Sequence, residues 1–87
     1  MIRYDVQIGK KTLKFLARLP EKHFLQIQRR ILELAENPRP HDSQTLRGSR
    51  YFRLDQGEYR VIYDIQNQVL VIVIIKIGKR NDDEVYR

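Results

Sequence analysis

The chain has no cysteine, no tryptophan and a single methionine, with three prolines and four glycines in 87 residues. Without cysteine there is neither a disulfide framework nor a thiolate nucleophile, so a reducing compartment suits it. The two histidines, His23 and His41, have no metal-ligand spacing, and the expectation is a chain that uses no metal and no cofactor. Acidic residues are also few: 11 Asp and Glu stand against 17 Lys and Arg, a formal net charge of +6. No stretch approaches the roughly twenty apolar residues of a membrane span, and the N-terminus lacks the apolar core of a signal peptide. A cytoplasmic protein that meets no membrane is therefore expected. At this length the chain should form one domain over residues 1–87, with a core made by a single pair of layers.

What is present is ordered hydrophobic periodicity. Residues 2–8 alternate Ile2, Tyr4, Val6 and Ile8 with Arg3, Asp5 and Gln7, the period of a half-buried strand that ends at Gly9. From Lys10 to Leu19 the positions Leu13, Leu16 and Ala17 have helical spacing, with Lys10, Lys11, Lys14 and Arg18 around them. Pro20 breaks this helix and suits the first turn of another, in which Phe24, Ile27, Ile31 and Leu34 form a stripe widened by Leu25, Leu32 and Ala35. Asn37 and Pro38 stop it, and residues 37–49 read as a loop. Three strand-like runs follow: Tyr51 to Leu54, Tyr59 to Ile65 and Val69 to Ile77. The sequence DQGE separates the first two, and a turn around Gln66, Asn67 and Gln68 the last two. The run VLVIVIIKI is apolar enough to predict a strand buried on both faces. The order predicts an α+β fold: an N-terminal strand, a helical hairpin, then a three-stranded antiparallel meander. Both helices should pack on one face of the sheet and leave the other partly open.

On that open face the sequence concentrates positive charge. Alternation puts Tyr59, Val61 and Tyr63 on one side of their strand and Arg60, Ile62 and Asp64 on the other, so Arg60 stands among apolar neighbours. Arg53, alternating with Phe52 and Leu54, can share that side across the DQGE hairpin. Gly78 offers a flexible point at which the chain could turn and carry Arg80 and Tyr86 over the same surface. Clustered guanidinium groups repel one another unless an anion such as a phosphate joins them, which arginine meets with paired hydrogen bonds. A nucleic acid partner is the reading this favours. An ordinary surface arginine paired with Asp64 or Glu58 would account for Arg60 equally well from the sequence, and Tyr86, one residue from the end, could be a loosely held aromatic. Asp82, Asp83 and Glu84 read as a solvated run rather than a cation site.

The segments EYRVIYDI and VLVIVIIKIGKRNDDEVY resemble the RelE branch of the RelE/ParE toxins of type II toxin–antitoxin systems, and YDVQI, KTLKFLARLP and RRILELAENPRP are similar to that family's strand and helical hairpin. The resemblance implies a RelE-like fold and a ribosome-dependent endoribonuclease that cuts messenger RNA without a metal and so inhibits translation. It further implies that Arg60 stabilises the phosphate, that Arg80 lies near the leaving group and that Tyr86 contacts the 2′-hydroxyl, with Arg53 as a further member of the catalytic set. The reaction implied is attack of the 2′-hydroxyl on the adjacent phosphorus, giving a 2′,3′-cyclic phosphate, which requires RNA. The expected RNA-contacting surface comprises Lys10, Lys11, Lys14, Arg47, Arg50, Tyr51 and Lys79. Where the family places two lysines, this chain has Tyr51 and Arg53, which keeps one charge and loses the other. Arginine, with a pKa above about 12, is a poor proton donor or acceptor, so the arginines act as fixed charge. Tyr86 serves as a base only if those cations lower its pKa from about 10. The implied partners are a cognate antitoxin protein, the ribosome with its RNA and the message, and operator DNA through the antitoxin alone. Two other functions fit the same fold: a ParE-like poison of DNA gyrase, and an inactive module that binds only antitoxin and operator.

Overall fold

The computed structural model describes residues 2–80, which form two helices and one five-stranded sheet. Strand β1 (Asp5–Ile8) leads through Gly9 into helix α1 (Lys10–Ala17), and Pro20 caps helix α2 (Glu21–Glu36). The loop that follows contains a two-residue strand, β2 (Gln44–Thr45), before β3 (Phe52–Gln56), β4 (Tyr59–Gln66) and β5 (Val71–Lys79). The strand order is β1-β5-β4-β3-β2, with β1 parallel to β5 and every other pair antiparallel. The meander and the helical hairpin are those expected. Strand β2 is an addition to the expected fold, because two polar residues carry no alternation to detect.

Both helices lie against the sheet, α1 on β5 and α2 on β1 and β3. Their apolar residues Leu16, Ile27, Ile31 and Leu34 meet Leu54, Tyr59, Val61, Tyr63, Ile72, Ile74 and Ile77 in one buried cluster. The α1 stripe is rotated from its expected position. Leu13 and Ala17 are exposed, whereas Phe15 packs against the core beside Leu16, with its ring edge-on to Tyr59 at 6.5 Å. Leu25 and Leu32 of α2, expected to widen the buried stripe, also face solvent.

The strand buried most completely is β4, not β5, since Tyr59 and Val61 through Asp64 are all covered. Strand β5 is flanked by β1 and β4 but alternates in burial, because one of its sides belongs to the uncovered face. Tyr63 pairs with Ile74 and Ile62 with Lys76, which leaves Ile75 as an extra residue, a β-bulge. Simple alternation from Ile72 and Ile74 would send Lys76 into the core. The bulge instead returns Ile77 to the core side and keeps Lys76 exposed. The expected first three residues of β1 fall outside it, since pairing with β5 begins at Asp5 opposite Val71, and the Tyr4 N–H bonds to the Ala35 carbonyl at the end of α2.

Two contacts anchor the loop after α2, one to that helix and one to the sheet. Arg30 of α2 donates to both Asp42 oxygens at 2.8 and 3.0 Å, and the Tyr63 hydroxyl donates to the Pro38 carbonyl at 2.8 Å. The loop is thereby brought back along β3, where Gln44 pairs with Arg53. Among the described residues, no helix is long and apolar enough to cross a membrane.

Candidate active site

Strand alternation sorts β3 and β4 cleanly. Leu54, Tyr59, Val61 and Tyr63 face the helices, and Phe52 stacks on Tyr63 with ring centroids 5.7 Å apart. Arg53, Asp55, Arg60, Ile62 and Asp64 therefore share the face away from the helices, where Ile62 and Asp64 are nonetheless buried and Arg53, Asp55 and Arg60 are partly exposed. Gly57, at φ +60°, takes the first position of a two-residue turn, a conformation that glycine adopts without steric cost. Because the connection is only Gly57 and Glu58, Asp55 lies directly across from Arg60.

The result is a polar row across β2, β3 and β4. The Arg60 Nε donates to Asp55 Oδ1 at 2.8 Å, and its Nη2 reaches Oδ2 at 3.4 Å. Arg53 donates from Nη1 to the same Oδ2 at 3.2 Å and from Nη2 to the Gln44 side-chain oxygen. Arg80 follows β5, its backbone N–H bonded to the Glu58 carbonyl at 2.9 Å, which ties it to the β3–β4 turn. The hydrogen bond from Arg60 holds the Asp55 carboxyl below its ordinary range; partial burial works against this, and the charges of Arg60, Arg53 and Arg80 add to it. All three arginines thus act electrostatically on one carboxylate. Beside them a groove of about 390 Å³ is lined by Gln44, Thr45, Leu46, Arg47, Arg53 and Arg60. A half-buried, positively biased groove of this kind can receive a phosphodiester and stabilise charge that develops on it.

The expected site residues are only partly gathered there. Arg53, Arg60 and Arg47 line the groove together, and Arg80 is not among its lining residues although its charge acts on Asp55. Tyr86 lies outside the described residues. Arg50 stands outside that groove, paired at 3.0 Å with the buried Asp64 farther along β4 and 5.9 Å from the Tyr51 ring centre. Lys79 pairs with Tyr59 and so belongs to the helix side of β5, and Lys10, Lys11 and Lys14 are exposed on α1, in the layer behind the sheet. Gly78 is not a turning point. It lies within β5 opposite Arg60, without a positive φ, and the strand runs on to Lys79. Arg60 meets Asp55, a partner that the sequence reading does not name.

Asp55 and Gln44 are the members that sequence reasoning misses. Reading DQGE as one connecting segment puts Asp55 in the turn. A two-residue turn at Gly57 and Glu58 sets it instead opposite Arg60 and two residues from Arg53 on the same face. Gln44 gives no comparable signal.

Comparison with known proteins agrees with this architecture. Residues 6–84 match the family described as the ParE toxin of the type II toxin–antitoxin system parDE. The chain is 28% identical over 86 residues to the mRNA interferase toxin RelE of Escherichia coli (strain K12), covering 95% of this chain and 90% of that one. Its fold superposes with a TM-score of 0.81 on the archaeal RelE–RelB complex from Pyrococcus horikoshii OT3, at 32% identity over 92% of this chain and 97% of that one. A mutant E. coli toxin RelE in the free state gives the same TM-score at 25% identity, covering 97% of this chain and 90% of that one. Matched across nearly its whole length in sequence and in fold, the chain belongs to the ParE toxin family of type II toxin–antitoxin systems and is RelE-like within it.

Proposed function

We propose that this protein is the toxin of a toxin–antitoxin pair and acts as a ribosome-dependent endoribonuclease on messenger RNA. The observation that carries the reading is the pairing of Arg53 and Arg60 around one partly buried carboxylate on the sheet face away from the helices, where the charge of Arg80 also acts. A relative named mRNA interferase toxin RelE supports the choice of substrate. In the reaction the 2′-oxygen attacks the neighbouring phosphorus as its proton leaves, the bond from phosphorus to the 5′-oxygen breaks, and that oxygen takes up a proton. The products are a 2′,3′-cyclic phosphate and a 5′-hydroxyl. Arg60 and Arg53 neutralise the oxygens of the pentacoordinate phosphorus, and Arg80 the departing oxygen. Tyr86 is assigned to the 2′-hydroxyl on the sequence resemblance alone.

Fixed charge lowers the barrier but moves no proton, so positioning by the ribosome is expected to supply much of the rate. Lys10, Lys11 and Lys14, on the layer behind the sheet, are suited to ribosomal RNA phosphates rather than to the message. A cognate antitoxin, as in the RelE–RelB complex of the archaeal relative, would neutralise the protein by covering the arginine face, and operator DNA would be reached through that antitoxin.

Expression of the chain alone, followed by mapping of 5′ ends of cellular messages, tests the reading. In-frame cuts within translated regions, abolished by Arg60→Gln, are expected. Intact messages accompanied by DNA damage would instead assign the protein to gyrase poisoning, and silence in both assays to a binding module.

A further inference from the structure

A carboxylate stands at the centre of the arginine cluster, where a phosphate-binding site would not be expected to carry one. Asp55 occupies the β3 position directly opposite Arg60 and lies two residues from Arg53 on the same face. Its two oxygens receive Arg60 at 2.8 and 3.4 Å and Arg53 at 3.2 Å, with all three side chains 17–30% exposed. Arg53 is held at its other end by Gln44 of β2. From these contacts we infer that Asp55 is a positioning residue of the proposed nuclease site: it fixes the Arg53 and Arg60 guanidinium groups where the reacting phosphate needs them, and it does so at the expense of RNA affinity. The inference rests on the ribonuclease reading above.

The argument is electrostatic. Arg53 and Arg60 bring positive charge to one spot, that of Arg80 acts there too, and Asp55 offsets part of it. Without it Arg53 and Arg60 repel each other more strongly, and both lose a contact that restricts their rotamers. Charge stabilisation works only when the charges are already in place as the transition state forms, so loosening the guanidinium groups should slow the chemical step. The same carboxylate repels the incoming phosphate, so its removal should tighten binding. Fold support alone does not account for the placement, because the hairpin is already closed by the Gly57 turn and by Leu54 against Val61 in the core. Nor is Asp55 placed as a proton acceptor. Its arginine contacts keep the carboxyl ionised well below neutral pH, which makes it a weak base and a constant feature of the site.

Asp55→Asn keeps the shape and one acceptor oxygen while removing the charge. It should bind an RNA made uncleavable by a 2′-deoxy substitution at the cut position roughly five- to tenfold more tightly at low salt. The dependence of log affinity on log salt should steepen by about 0.7. In single-turnover cleavage on programmed ribosomes, the rate should fall on the order of tenfold to a hundredfold. Asp55→Glu, which keeps the charge on a longer arm, should bind as the parent does and recover part of the rate, and melting curves establish that each variant is folded. Affinity and rate that fall together, or a rate that holds or rises when the charge is removed, overturn the inference. A parent chain that cuts no message defeats the ribonuclease reading and this inference with it, whereas a parent that cuts, with an Asn variant showing no opposed movement, defeats this inference alone.

Discussion

The two faces of the sheet are built from alternate residues of the same strands, yet they answer to different demands. On the helix side, Leu54, Val61, Tyr63, Ile72 and Ile74 are packed under α1 and α2, and what matters is volume and fit. On the other side, Arg53, Asp55 and Arg60 are partly exposed, and what matters is the sign and position of charge. One strand therefore carries stability and proposed chemistry in alternation. A substitution at one parity should affect melting, and at the other parity cutting, with little crossover.

The largest effect expected is on stability. Leu34 is fully buried in α2 between the helix pair and the sheet, so Leu34→Ala should cost about 2–5 kcal/mol through reduced burial and the cavity left behind. Urea unfolding measures this directly. Cleavage per folded molecule should stay near the parent value, and a large drop there would show that the two faces are not separable.

The converse variant is Arg60→Gln. Removing one preorganised donor typically lowers turnover by about 10² to 10³, whereas its pair with Asp55 is partly exposed and its removal should change stability by under about 1 kcal/mol. Cleavage on programmed ribosomes and a melting curve of the same sample test both halves. An unfolded variant would mean that Arg60 serves the scaffold first.

This separation explains how much of the molecule is legible before folding. Period-2 alternation in β4 places Arg60, Ile62 and Asp64 together and Tyr59, Val61 and Tyr63 apart from them, and the structure keeps that division. The helical stripe of α2 is visible for the same reason, as Ile27, Ile31 and Leu34 recur at 3.6-residue spacing. The misses arise where local pattern does not determine the pairing. Strand β5 contains a bulge at Ile75 that reverses its parity, which no run of isoleucines discloses. Strand β2 follows a loop tied to α2 through Arg30 and to β4 through Tyr63, contacts that no local pattern announces. Asp55 escapes notice because the length of a turn, more than its composition, decides what faces what. Alternation can place Arg53 and Arg60 on one face, but the carboxylate between them depends on register.

The next effect is pH-dependent and separates the charged region from the apolar one. Asp55 is held below its ordinary pKa by Arg60, and Asp42 by Arg30. A depressed folded pKa means that the unfolded chain binds protons first. The stability these pairs contribute is present above the unfolded value, near 3.9, and is lost as pH falls through the lower folded values. Denaturation midpoints from pH 6 to pH 2 should fall more steeply in the parent than in Asp55→Asn over that acid range. Equal slopes would show that the Asp55 contacts contribute nothing to folding.

The smallest effect concerns the layer behind the sheet. Lys10, Lys11 and Lys14 project from α1, with the helix layer and the sheet between them and the Arg53–Asp55–Arg60 row. A single strand of message lying across the arginine face has no short path to them, although a ribosome large enough to surround the protein does. Replacing all three with alanine should leave binding of a short single-stranded RNA unchanged and weaken association with ribosomes by a few-fold, with a salt dependence shallower by up to about 0.7 for each phosphate that is no longer neutralised. Titration of labelled protein against ribosomes and against the RNA, at several salt concentrations, measures both. If short-RNA binding falls as much as ribosome binding, the message extends around the molecule onto α1, and the contrast between the two faces describes folding only.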